Sequence, residues 1–313
     1  MKKESGKAAK RIIIIDEQKH ELPYSKGLTA SAIMSSGLPP QEAYDISSEI
    51  EGSLLTDERF AISAEELHQL IYETLKKDMG ERYAENYLKY HTLSKLNKPL
   101  VILIGGATGV GKSTIATMLA TRLGIVRIVS TDAIREVMRA FFSEELMPAI
   151  HRSSFDVGEA LRQPLPPSVD PVTAGFREQT VSVTVGVKAL VDRAVTEGTH
   201  LIIEGAHIVP GFIDPVLYKK NAFLVPLVIT VKDEGLHRSH FYIRELDTQG
   251  SRPFERYVAN FESIRRIQDY IIGLAESRGI KTVDSINLDA TMVEVIEFII
   301  NTVYEMDRSA ANV

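Results

Sequence analysis

From residue 97 onward the chain predicts an α/β fold, a parallel sheet flanked by helices, preceded by a small and mostly helical N-terminal domain. Three observations carry this. The apolar run at residues 100–104 enters a glycine-rich turn and then an amphipathic helix. β-Branched runs recur at residues 125–130, 201–205, 222–231 and 281–285, with helical spacing between them. Before the break at Asn97-Lys98-Pro99 the pattern is short helices, so the division is placed between 1–96 and 97–313.

In order, residues 11–16 (four isoleucines) and 20–24 flank a polar turn and predict a hairpin. Residues 28–35 and 42–55 have helical spacing, separated by Gly37 and Pro39-Pro40. Ser63-Ala64-Glu65-Glu66 reads as a capping box opening a helix through Leu67, Leu70, Ile71 and Leu75. A last helix of this part carries Tyr83, Tyr87, Leu88 and Tyr90.

The turn after residue 104 fits G-x-x-x-x-G-K-[ST] through Gly106, Ala107, Thr108, Gly109, Val110, Gly111, Lys112 and Ser113, followed by Thr114. Its glycines let consecutive N–H groups face one concavity and meet phosphate oxygens. Lys112 brings a mobile charge to the β- and γ-phosphates, and the Ser113 hydroxyl suits Mg²⁺. The following helix aims its positive end at the same place. Strand before and helix after make this a nucleotide-phosphate site of the P-loop NTPase type, implying ATP and Mg²⁺.

The strand at 125–130 ends in Ser130-Thr131-Asp132. A carboxylate there lies in the ligand crevice of an open sheet, so Asp132 reads either as a group orienting or deprotonating an acceptor hydroxyl or as a helix N-cap. Arg135 and Arg139 share one face of the next helix, and Arg135 in its first turn favours an anion nearby. Residues 147–175, with Pro164, Pro166, Pro167 and Pro171 ruling out a long helix, predict an irregular lid. A helix over 176–197 carries Arg177 and Gln179 near its start, which read either as substrate contacts or as exposed helix-start residues. Glu204 ends the strand at 201–205, where a second acid holds Mg²⁺ through water. Pro226 marks the strand at 222–231 as an edge or a bulge.

The helix at 234–248 carries His237, Arg238, His240 and Arg244. Two histidines without a third ligand read as a solvated face. Arg238 and Arg244 fit a lid over the transferring phosphoryl group. Residues 252–277 predict one long helix in which Arg265 and Arg266 pair with Glu262 or Asp269. Residues 281–285 predict a fifth strand and 292–304 a closing helix.

Composition narrows the function. With 313 residues and no cysteine, disulfides and thiolate chemistry are excluded. The lysine-rich start is not a secretory signal and no run approaches a membrane span, so a soluble, cytoplasmic protein is expected. A net charge of -6 argues against a nucleic-acid partner. Through Lys112 there are 12 Lys and 3 Arg, and after it 5 Lys and 16 Arg. Arginine is a planar fork for phosphate and carboxylate, so some of these are expected to converge on a small anionic substrate.

Two resemblances add to this reading. Residues 10–91 resemble the ATP-cone, a regulatory nucleotide-binding module, in the apolar strand, Leu22-Pro23-Tyr24-Ser25-Lys26, the helix start at Leu28 and Ala84-Glu85-Asn86-Tyr87. They depart from it at Asp16-Glu17-Gln18-Lys19, and the resemblance implies a regulatory nucleotide contacted by Lys10, Arg11 and Lys26. Residues 131–139, 175–179, 203–207 (Ile-Glu-Gly-Ala-His), Arg256-Tyr257 and 264–270 resemble the 2-phosphoglycerate kinase family of methanogenic archaea, which pairs these two domains in this order. The resemblance implies phosphorylation of 2-phosphoglycerate by ATP to 2,3-bisphosphoglycerate, toward the cyclic compound. The residues themselves leave open a kinase for another small acceptor, or a nucleotide-sensing regulator without turnover.

Overall fold

The computed structural model describes residues 12–16, 18–93, 98–247 and 253–311. The chain divides into two compact units, Met1–Lys95 and Leu96–Val313.

In the first unit, β1 (Ile13–Ile15) and β2 (Glu21–Pro23) form the expected antiparallel hairpin. The Asp16 carboxylate closes the turn by accepting from the backbone N–H groups of Gln18 and His20. After α1 (Lys26–Met34) and α2 (Pro40–Thr56), β3 (Ala61–Ser63) returns parallel to β1, giving the order β2-β1-β3. Nothing in the periodicity marks β3, because three residues are too few to show alternation. The Ser63 box caps α3 (Ala64–Asp78) reciprocally with Glu66, and α4 (Glu81–Leu93) follows. Ile33, Leu38, Ile50, Leu54, Ile62, Ile71 and Leu75 form the core of this unit.

The second unit is a five-stranded, fully parallel sheet. Its strands are β4 (Leu100–Gly105), β5 (Ile128–Ser130), β6 (Leu201–Glu204), β7 (Phe223–Thr230) and β8 (Lys281–Asp284), ordered β5-β6-β4-β7-β8. β4 lies in the middle, so the chain leaves it first to one side and later to the other, which makes its C-terminal end the crevice of the sheet. Both faces of such a sheet need covering, and the helices do this. They are α5 (Lys112–Leu123), α6 (Thr131–Phe141), α7 (Pro171–Glu197), α8 (Glu234–Asp247), α9 (Phe254–Ala259), α10 (Phe261–Ser277) and α11 (Leu288–Ala311). Val183, Val187, Val191 and Ala194 of α7 pack on Val101, Leu103 and Ile203, the burial that fixes the long helix despite its valines.

Four expectations need correction. β5 begins at Ile128 and not at 125, and Ile125 instead caps α5 by donating to Ala120 O. α7 starts at Pro171, because Asp170 caps it and proline is favoured at the first helical position. Pro226 lies inside the sheet and pairs with Leu103 of β4; β8 joins β7 only from Leu227, so the missing N–H precedes that ladder. The long helix over 252–277 is two helices broken at Asn260, whose side chain donates back to Arg256 O.

Candidate active site

The site is built where three strands end level. Ile104 and Ser130 both pair with Glu204. From the first strand the loop turns sharply: Gly106 has φ 139°, and a Cβ there would meet Ile229 O at 2.2 Å. Gly111 caps α5, whose first two residues are Lys112 and Ser113. Lys112 is buried and donates to Ala107 O at 2.7 Å. Burial lowers its pKa, opposed by the carboxylates of Glu204 and Asp132. The lysine is therefore within electrostatic reach of both acids nominated from sequence.

Ser113 Oγ donates to Glu204 Oε1 at 3.0 Å. This couples a hydroxyl and a buried carboxylate, both hard oxygen donors. Mg²⁺ keeps several waters and takes one or two protein oxygens plus phosphates, and this pair fits that requirement. Among the described residues no group of three His, Cys, Asp or Glu gathers.

Asp132 stands at the first turn of α6 with its side chain 59% exposed. The N-cap is Ser130, whose Oγ accepts from Ala133 N at 3.1 Å. The cap reading of Asp132 is thus corrected, since the hydroxyl two residues earlier already fills that role. Arg135 is 14% exposed at its side chain, and its NH1 donates to Ile150 O (3.0 Å) and Arg152 O (2.9 Å). Its Nε is buried without a hydrogen-bond partner, 3.6 Å from Asp132 Oδ1. Arg139 is half-exposed and pairs with Glu136 at 2.7 Å.

Behind Asp132 runs a buried polar chain that sequence did not expose. Gln179 Nε2 donates to Ala149 O and Arg152 O, which fixes its Oε1 as acceptor for His207 Nε2–H at 2.8 Å. Burial pushes the His207 imidazole down to about 4, so it is neutral and its Nδ1 accepts from the Thr131 hydroxyl at 3.0 Å. Gln179 and Arg135 thereby hold the same carbonyl of the 147–175 segment. That segment contains two turns of 3-10 helix, at Pro148–His151 and Val157–Ala160, and is tied down at its start. Gln179 serves the scaffold, which corrects the expectation of direct substrate contact. Arg177 is exposed on α7 and lines a shallow depression with Thr173, Val181 and Tyr270.

α8 brings the largest revision. His237 is fully buried and its Nε2 donates to Thr108 O at 2.8 Å, while His240 Nδ1 donates to Gly109 O at 2.9 Å. The solvated-face reading of these histidines is overturned, because Phe241 on the same face turns it toward the phosphate loop. Arg238 lies 3.7 Å from the centre of the Phe261 ring and 3.9 Å from Glu234. Arg244 sits over Tyr257 at 5.6 Å. Arg266 pairs with Glu262 and Asp170 as an ion pair, whereas Arg265 donates to Val231 O and Lys232 O.

A glycine loop leaving the central strand, a lysine at its end, a hydroxyl bonded to a strand-end acid and a second acid beside them define a phosphate-loop phosphotransferase. Comparison with known proteins narrows this. A 2-phosphoglycerate kinase of Methanothermobacter thermautotrophicus is 40% identical over 289 residues, covering 92% of this chain and 94% of its own. A 2-phosphoglycerate kinase of Methanopyrus kandleri is 38% identical over 308 residues, 98% of this chain and 93% of its own. The chain belongs to the 2-phosphoglycerate kinase family. The Zeta toxin family profile matches residues 84–155, the stretch that includes the phosphate loop and α6. Among solved structures, a shikimate kinase from Acinetobacter baumannii in complex with shikimate covers 68% of this chain and 97% of its own, at 14% identity and a TM-score of 0.37.

Proposed function

We propose that this chain transfers the γ-phosphoryl group of ATP to the free hydroxyl of 2-phosphoglycerate, giving 2,3-bisphosphoglycerate and ADP. The observation that carries the reading is the gathering of Lys112, Ser113, Glu204 and Asp132 at three aligned strand ends, in a chain whose relatives bear that kinase's name.

The N–H groups of residues 106–114 receive the phosphates, and Lys112 swings from Ala107 O to the γ-phosphate, exchanging a neutral acceptor for an anionic one. Ser113 and Glu204 would hold Mg²⁺, which would offset charge on the phosphate oxygens. Asp132 takes the proton of the attacking hydroxyl. Arg135 is anchored at NH1 and keeps the buried Nε beside Asp132, a donor placed for an anionic group of the acceptor. Arg139 lies one turn further along the same face. Arg238 and Arg244, held on aromatic rings, supply the transferring group with positive charge once α8 and α9 close over it.

The first unit acts as an ATP-cone-like regulatory domain that binds a second nucleotide. Of its proposed contacts, Lys10 and Arg11 lie outside the described residues, and Lys26 is paired with Glu51 at 2.9 Å. Calorimetry on the full chain is expected to give two ADP per protein, and a stoichiometry of one would reduce this unit to a structural role. We infer a cytoplasmic reaction between two small solutes; no described helix is long and apolar enough to cross a membrane.

The deciding experiment for the acceptor is ADP release across a panel of 2-phosphoglycerate, 3-phosphoglycerate, glycerate, shikimate and gluconate. Release is expected to require the phosphate and carboxylate of 2-phosphoglycerate together. Equal rates with glycerate would point to a different kinase, and ATP binding without acceptor-stimulated release would point to a nucleotide sensor.

A further inference from the structure

The two histidines of α8 have no part in the chemistry just described, yet they reach the phosphate loop from 129 and 131 residues away. Each meets a backbone carbonyl, which can only accept. The tautomers follow: Nε2 of His237 and Nδ1 of His240 carry hydrogen. The carbonyls belong to consecutive peptides, Thr108–Gly109 and Gly109–Val110. In a trans peptide the C=O and N–H point in opposite directions. Holding these two oxygens toward α8 therefore aims the N–H groups of Gly109 and Val110 away from it, into the concavity of the loop.

The loop also needs no side chain at its middle position for this contact. Gly109 has φ 86°, and a Cβ on it would meet the Phe241 ring at 2.4 Å and His237 Nε2 at 3.2 Å. Phe241 stacks on His237 and on Tyr257, so the imidazole is braced from one side by an aromatic pair. Phe261 packs edge-on against it. Burial holds His237 at about 4, so it stays neutral, with Arg265, His240 and Lys112 as the charged or titratable groups bearing on it.

We propose that His237 and His240 are positioning residues that hold the Thr108 and Gly109 carbonyls, so that the Gly109 and Val110 N–H groups are preset for the phosphate chain of the nucleotide. This rests on nucleotide use at the loop and is independent of the acceptor's identity. A preset cradle avoids reorienting two peptides when the phosphate arrives, and that saving appears as nucleotide affinity.

The test uses the full chain, Mg²⁺ and ADP. His240→Ala is the informative variant, since His240 is half-buried and its loss leaves little void. Losing one neutral hydrogen bond is expected to weaken ADP binding about three- to tenfold, with unchanged thermal stability and an unchanged acceptor KM. His240→Asn, whose side-chain amide sits where Nδ1 does, should restore affinity. His237→Gln against His237→Ala repeats the comparison for Nε2. Wild-type ADP affinity in both alanine variants would overturn the proposal. So would equal losses in the alanine and amide variants, or equal increases in both substrates' KM, since these would mark simple packing. Wild-type protein that binds no ADP would overturn the nucleotide reading itself, and the clamp with it.

Discussion

The two compact units bury polar groups in different ways. Among the described residues of the first, the buried polar side chains are small and neutral: Thr29, Ser35, Ser36, Ser47 and Asn86. Four of them donate to backbone carbonyls: Ser35 to Ala32 O, Ser36 to Ile33 O, Ser47 to Lys26 O and Asn86 to Ser36 O. In the second, the crevice at the strand ends buries Lys112, Glu204 and His207, and α8 buries His237 against the phosphate loop. A bonded hydroxyl or amide costs little to bury, whereas an ionisable group loses hydration that one neighbour seldom restores. The depressed pKa values of Lys112, His207 and His237 record that cost. Where such groups cluster in one crevice, stability is given up for chemistry.

Substitutions in the two units should therefore separate activity from stability. Lys112→Ala is expected to lower kcat at least about a hundredfold, while leaving the melting temperature unchanged or higher, because a poorly solvated ammonium is removed. A melting temperature that falls with activity would erase the distinction. Asp132→Asn should also lower kcat by about two orders of magnitude, without loss of stability, since Ser130 caps α6. An unchanged kcat would remove Asp132 from the reaction.

Acid should find the second unit first. His207 and His237 have folded pKa values of about 4 against the ordinary 6.5. Between those values the unfolded chain binds more protons, so their contribution is complete above pH 6.5 and is lost as pH falls toward 4. From pH 7 to 5 the loss is about 2 kcal/mol for each histidine. Chemical denaturation at the two pH values checks this, and His207→Gln should flatten the difference by about half. An identical pH slope in that variant would contradict the buried neutral imidazole. The smallest effect is expected in the first unit: Asn86→Ala should cost about 1–2 kcal/mol of its stability with kcat unchanged.

What sequence made legible was local. The phosphate loop, the strand that feeds it, the Ser63 capping box, the hairpin and the long apolar face of α7 each depend on neighbours within a few turns of chain. Glu204 was found because it ends a strand. The misread residues depend on contacts across the fold. His237 and His240 point inward because α8 lies against the loop, a fact carried by Phe241 on the same helical face as much as by the histidines. Asp132 and Ser130 compete for one cap, and only the folded turn shows which side chain reaches Ala133 N. Arg135 braces the carbonyls of Ile150 and Arg152, and nothing in its spacing separates that role from the proposed contact with an anion. His207 stood in a recognisable stretch, but its bonds to Thr131 and Gln179 join positions 76 and 28 residues away.

The most direct measurement is phosphorus NMR of the full-length protein incubated with ATP, Mg²⁺ and 2-phosphoglycerate. The expected result is a second phosphate ester on the acceptor, accumulating in step with ADP and absent with the Lys112→Ala protein. ADP appearing with free phosphate and no new ester, or no acceptor-dependent change at all, would contradict the assignment of these strand ends to phosphoryl transfer.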